Sequence, residues 1–196
     1  MLTFFVAVVL LVTSPGPGVL SLAGVSAAYG YRSGLRYMIG LWVGNNLVGI
    51  AVASGLAAIM LAEPRIRTVF AIASSAYLLW LAYKIAFAGA RVAFIERPTP
   101  PGIGGGILLQ VINPKAYAVT TAIFANFAFM PDRPGLEIAV KFAIFNAVWV
   151  VAHFLWLWVG ATIQRLDLPP RTQRAINIGM ALAMLTVVAM AIFAQT

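Results

Sequence analysis

The chain has 196 residues, 62% of them hydrophobic and only 9% charged, against about 25% charged in ordinary soluble domains. That balance excludes a soluble globular domain, and its long uninterrupted apolar runs exclude a closed β-barrel, whose strands alternate polar and apolar positions. The net charge of +8 comes from 13 Lys and Arg that lie mostly between the apolar runs, as in loops at an anionic membrane surface, so a lipid bilayer and not nucleic acid is the expected partner.

The first run, Met1 to about Tyr29, has no Lys or Arg before it and prolines where a signal peptide would be cleaved, so a retained helix is expected. Thr13-Ser14-Pro15-Gly16-Pro17-Gly18 interrupts it halfway. Two prolines remove backbone donors and two glycines loosen the chain, which predicts an unwound segment from Thr13 to Gly18. A loop carrying Arg32 and Arg36 leads to a second span, about Tyr37 to Leu61, with small residues at Gly40, Gly44, Gly49 and Ser54 for close helix contact. A third span runs from about Thr68 to Ala88, with Tyr83 and Lys84 as interfacial anchors. The interval from about Gly89 to Gly102 is the expected linker.

A fourth apolar run, Ile103 to Met130, contains Gln110-Val111-Ile112-Asn113-Pro114-Lys115. Pro114 should break this helix, leaving Lys115 near mid-membrane, where a charge is costly and is usually functional. A fifth span from about Glu137 to Thr162 and a sixth from about Gln173 to Phe193 complete the chain. Pro15 and Pro114 lie about half the chain apart, so each half reads as one broken span followed by two intact ones. Three spans per half turn the second copy upside down, and matching breaks in inverted halves point to a transporter's binding site. The expected fold is therefore an all-α integral membrane protein of six transmembrane helices. They form one transporter domain, 1–196, with inverted repeats over about 1–93 and 102–196. The loops after spans one, three and five are richer in Lys and Arg, which places them in the cytoplasm and both termini in the periplasm.

All five acids (Glu63, Glu96, Asp132, Glu137 and Asp167) fall in loops or at span ends. No carboxylate is expected at depth for general acid–base work or a metal site, there is no cysteine, and the nucleotide and hydrolase motifs are missing, so neither an enzyme nor a cofactor is expected. The remaining polar set is Asn45, Asn46, Gln110, Asn113, Lys115, Asn126, Asn146 and His153. Lys115 is either a counter-charge for an anionic substrate group or a donor to carbonyls freed by the break, with the first favoured. Asn113 is expected to cap the half-helix. Asn45 and Asn46 are either interhelical hydrogen-bonding groups or cavity lining, and His153 is either a proton carrier or a neutral, hydrogen-bonded packing histidine, with the second favoured.

Ser14-Pro15-Gly16-Pro17, Gly40-x-x-x-Gly44, Tyr77-Leu78-x-Trp80-Leu81 and Asn113-Pro114-Lys115-Ala116, in this order and spacing, resemble the lysine exporter and homoserine/threonine exporter (LysE/RhtB) family along essentially the whole chain. The resemblance implies a bacterial inner-membrane exporter of amino acids, driven by the proton gradient, with Pro15, Gly16, Pro17, Asn113, Pro114 and Lys115 around a central site. Many relatives carry an acid where this chain has Asn45, which favours a neutral amino acid over a basic one. Its carboxylate would meet Lys115 and its ammonium the carbonyls of the unwound segment. The competing class is a non-transporting membrane assembly or lipid-handling protein. The small-residue faces permit a homodimer without requiring one.

Overall fold

The computed structural model describes residues 1–14, 16–87, 99–166 and 168–193; Pro15 and most of the expected linker lie outside them. Among the described residues all regular structure is helical: α1 (Leu2–Thr13), α2 (Pro17–Tyr29), α3 (Tyr31–Ala53), α4 (Leu56–Ala62), α5 (Pro64–Ala86), α6 (Ile103–Ile112), α7 (Pro114–Ala125), α8 (Pro134–Arg165) and α9 (Pro170–Phe193). Helices α3, α5 and α8 are each long and apolar enough to cross a membrane. So are the bent pairs α1–α2, which meet at 49°, and α6–α7, which meet at 66°. Helix α9, with 24 residues, adds a further long helix.

Both breaks follow from proline chemistry. Pro17 and Pro114 stand at the first position of α2 and α7, where a missing N–H costs nothing and the fixed φ favours the helix. The first break is tighter than the sequence suggested. Helix α1 runs through Thr13 and α2 starts at Pro17, so among described residues only Ser14 and Gly16 are non-helical, not the whole stretch from Thr13 to Gly18.

Three boundaries also differ. Arg32 and Arg36 lie within α3 rather than in a loop; the turn is made at Gly30 alone, whose φ of 83° only glycine adopts without strain. The expected second span to Leu61 is cut at Gly55, with φ 79°, which splits off the short α4. Helix α7 ends at Ala125 rather than Met130, and the segment after it turns back onto α8. There Glu137 and Lys141 form a buried ion pair at 2.7 Å. Glu137 also accepts from the backbone N–H groups of Phe129 (2.8 Å) and Met130, and Lys141 donates to Phe124 O at 2.9 Å. The carboxylate is thus committed to holding chain, and it fastens residues 124–130 to α8.

The main helix contacts are α3 on α6, α2 on α8 and α5 on α9. Glycine sets two of these approaches. A Cβ on Gly40 would collide with Ile103 O and one on Gly106 with Tyr37 O, while one on Gly160 of α8 would collide with Ala23 O of α2. Backbone touching backbone is how helices pack where no hydrophobic effect drives them together. The core gathers Phe4, Val8 and Val12 of α1, Tyr37 and Leu41 of α3, and Phe145, Trp149 and Leu157 of α8. Leu10, Ile59, Ile72, Val151, Leu155 and Trp158 face outward, as side chains in contact with lipid would.

Candidate functional site: a polar cavity between two helix breaks

A cavity of about 60 Å³ lies where α1, α2, α6 and α7 all end or begin. Its wall includes Ser14, Gly16, Gly18, Asn45, Gln110, Asn113, Lys115, Thr120, Trp149 and His153. The local geometry is set by the second break. Asn113 caps α7, its Oδ1 accepting from Lys115 N at 3.1 Å, and its Nδ2 donates to Gln110 Oε1 at 3.2 Å. Gln110 Nε2 reaches Asn45 Oδ1 of α3 at 3.4 Å. A chain of amides therefore ties the second break to the neighbouring span.

Lys115 ties the second break to the first. Its Nζ donates to Ser14 O at 2.8 Å and to Ser14 Oγ at 2.9 Å. The ammonium meets the C-terminal end of α1, where unsatisfied carbonyls and the helix dipole favour a cation. Gly16 permits this approach, since a Cβ there would stand 2.7 Å from both Lys115 Cδ and Nζ.

His153 is buried in the cavity wall, stacked on Trp149 with ring centroids 3.5 Å apart. Its Nδ1 lies 2.9 Å from Trp149 O. A carbonyl only accepts, so Nδ1 carries the hydrogen and Nε2 is the acceptor of the neutral ring. Two buried polar atoms on the wall, Asn45 Nδ2 and Thr120 Oγ1, have no hydrogen-bond partner among the described residues. Buried polar groups are normally satisfied, and exceptions at a cavity are what a ligand or water would meet.

Gly16, Asn45, Asn113, Lys115 and His153 are therefore brought together at the cavity. Pro17 and Pro114 start the half-helices beside it without lining it, and Pro15 lies outside the described residues. Asn46 points elsewhere: it exchanges hydrogen bonds with Asn146 of α8, Nδ2 to Oδ1 at 3.0 Å in each direction, and Trp42 Nε1 joins Asn146 Oδ1 at 2.7 Å. Thr120 was not singled out from sequence, and Ser14 entered only as part of the interrupting segment. Asn113, Ala116 and Thr120 recur at helical spacing along one face of α7, a signal that could have found Thr120.

Fold and site define an all-helical membrane protein with a small polar chamber between two broken spans. Residues 9–195 match the family described as LysE type translocator, and the chain belongs to that family. It is a multi-pass translocator of the inner membrane and not an enzyme. It is 26% identical over 153 residues to a cysteine/O-acetylserine efflux protein of Salmonella paratyphi A, covering 78% of this chain and 77% of that one. A protein of the same description from Escherichia coli O139:H28 is 24% identical over 173 residues, 88% and 87% of the two chains. No solved structure matches the chain.

Proposed function

We propose that this chain exports a small neutral amino acid or amino-acid derivative, cysteine and O-acetylserine being the first to test, by alternating access of two inverted three-span halves around the cavity. The observation that carries the reading is the Lys115–Ser14 link, which joins the two breaks across the cavity wall. The chamber has the polarity a zwitterion needs. The N-terminal ends of α2 and α7 bring partial positive charge to it, and the C-terminal ends of α1 and α6 partial negative charge. Among the described residues no carboxylate lines it, so a second, side-chain cation meets no counter-charge from them.

The contact pattern supports the inverted repeat. The first span packs on the fifth and the second on the fourth, while the third and sixth pack on each other. An exchange of halves leaves that pattern unchanged. Both termini are assigned to the periplasm from the Lys and Arg bias of the loops.

Mechanistically, the substrate carboxylate replaces Ser14 as the partner of Lys115. The ammonium leaves the end of α1, and the two broken spans are no longer held to each other. That exchange gives the substrate a differential interaction with the closed and released states, which any ligand-driven change of conformation requires. The test is efflux from liposomes containing the purified chain and loaded with radiolabelled cysteine, O-acetylserine and other neutral amino acids. Wild type should release a subset, and a Lys115→Met variant that inserts normally should release none. Wild-type rates in that variant would overturn the role given to Lys115.

A further inference from the structure

Gly18 leaves a niche in the cavity wall. A Cβ there would stand 3.7 Å from Gln110 Oε1 and 3.8 Å from His153 Nε2. Side chains from α6 and α8 thus bring two polar atoms within 4 Å of the place where a side chain at residue 18 would begin. The chemistry of each atom is fixed by its other contacts. His153 Nδ1 is committed as donor to Trp149 O, so Nε2 of the neutral ring presents a lone pair. Gln110 spends its amide nitrogen on Asn45 Oδ1, and its oxygen takes one hydrogen from Asn113 Nδ2, which leaves a second lone pair. Two acceptors beside one open position call for a donor with several N–H bonds.

We propose that the Gly18 niche is the ammonium subsite, where the substrate donates to Gln110 Oε1 and His153 Nε2, and that a proton on Nε2 excludes it. This rests on the transport reading above and adds the coupling atom. The lone pair of Nε2 accepts either an N–H of the substrate or a proton, never both. A proton entering from the periplasmic side binds Nε2 and turns the acceptor into a donor, and the ammonium leaves. That proton then passes to cytoplasmic water, and a new ammonium takes its place with its own protons retained. One proton moves in for each zwitterion moved out.

The surroundings of His153 suit this exchange. Sharing the cavity lining with it are Trp149 on its own helix, Gly18 and Val19 on α2, Asn45 on α3, Gln110 on α6 and Lys115 on α7. Among the described residues Lys115 is the other titratable side chain lining the cavity, and none of those lining it is a carboxylate that could hold the ammonium or neutralise an imidazolium. With His153 charged, two cations share one small chamber, and a third is repelled.

The experiment is counterflow of a radiolabelled mixture of neutral L-amino acids in liposomes containing the full chain, with the half-saturation concentration followed from mildly alkaline pH down into the acid range. For wild type this concentration should rise on the acid side, approaching about tenfold per pH unit, as competition for one atom by one proton requires. His153→Gln keeps an acceptor but cannot titrate there; it should bind several-fold more weakly at the alkaline end and show no acid-side rise. Gly18→Ala fills the niche and should raise the half-saturation concentration more than about tenfold at every pH. A pH-independent wild type, a His153→Gln protein with the wild-type slope, or a Gly18→Ala protein with wild-type half-saturation would each overturn the proposal. Should His153→Gln fail to insert, the wild-type slope and Gly18→Ala still decide it. A wild type without counterflow at any pH would instead overturn the transport reading itself.

Discussion

Gly106→Ala should separate α3 from α6 and disorganise the cavity from a distance. A Cβ at position 106 would overlap Tyr37 O and would lie 2.6 Å from Leu41 N and 2.9 Å from Gly40 C. Ordinary contact begins near 3.4 Å, so the two helices must part by about 1 Å. All three obstacles are backbone atoms, which no rotamer change removes. Overpacking of this kind costs about 3 kcal/mol, the upper part of the range for inserted methyl groups. That is roughly a hundred-fold fall in the folded-to-unfolded ratio. The displacement also reaches the site, because Gln110 lies one turn further along α6 and its 3.4 Å bond to Asn45 is already near the limit of a hydrogen bond. Gly104→Ala is the control on the same helix, since a Cβ there meets nothing within 4 Å; it should be neutral or stabilise by up to about 1 kcal/mol through helix propensity. Denaturation midpoints in mixed detergent micelles would show a large difference between the two variants, and liposome efflux would fall for Gly106→Ala alone. Equal midpoints for both would refute the close crossing of α3 and α6.

Glu137→Gln should lower the thermal midpoint by leaving Lys141 without its charge partner and weakening the acceptor shared by Phe129 and Met130. Pairing it with Lys141→Met should restore part of the loss, a coupling that a double-mutant cycle measures. Asn146→Ala removes the hydrogen bonds to Trp42 and Asn46 and should cost about 1–2 kcal/mol in denaturation. Because Asn46 and Asn146 lie away from the cavity, the range of exported amino acids should not change in efflux competition. Gly30→Ala should cost roughly 1–3 kcal/mol because it forces a Cβ into a φ of 83° beside Gln164; Gly55→Ala, at φ 79° with open space around it, should cost less in the same melts.

What could be foreseen from the residues was what proline and glycine decide locally. Both breaks were legible because Pro17 and Pro114 act on their own backbone, and Asn113 because an asparagine before proline caps the next helix. The partner of Lys115 was not, since Ser14 lies 101 positions away and only packing brings them together. Asn45 and Asn46 looked equivalent in the sequence. Neighbours on a helix point about 100° apart, so one meets the cavity and the other α8. Arg32 and Arg36 suggested a loop because charges usually mark one, yet a single glycine sufficed for the turn and the helix began at once. Glu137 was placed at a span end, and nothing local disclosed that its carboxylate would be enclosed by the segment that follows α7.

Helix α8 has 32 residues and is therefore about 48 Å long, well beyond a hydrocarbon layer of roughly 30 Å. At a common tilt of about 20° some three turns must project into the headgroups. The Pro134 end, with its clasped carboxylate and ammonium, is suited to that layer, where charge is tolerated. Any movement of this rod along the bilayer normal must therefore carry residues 124–130 with it.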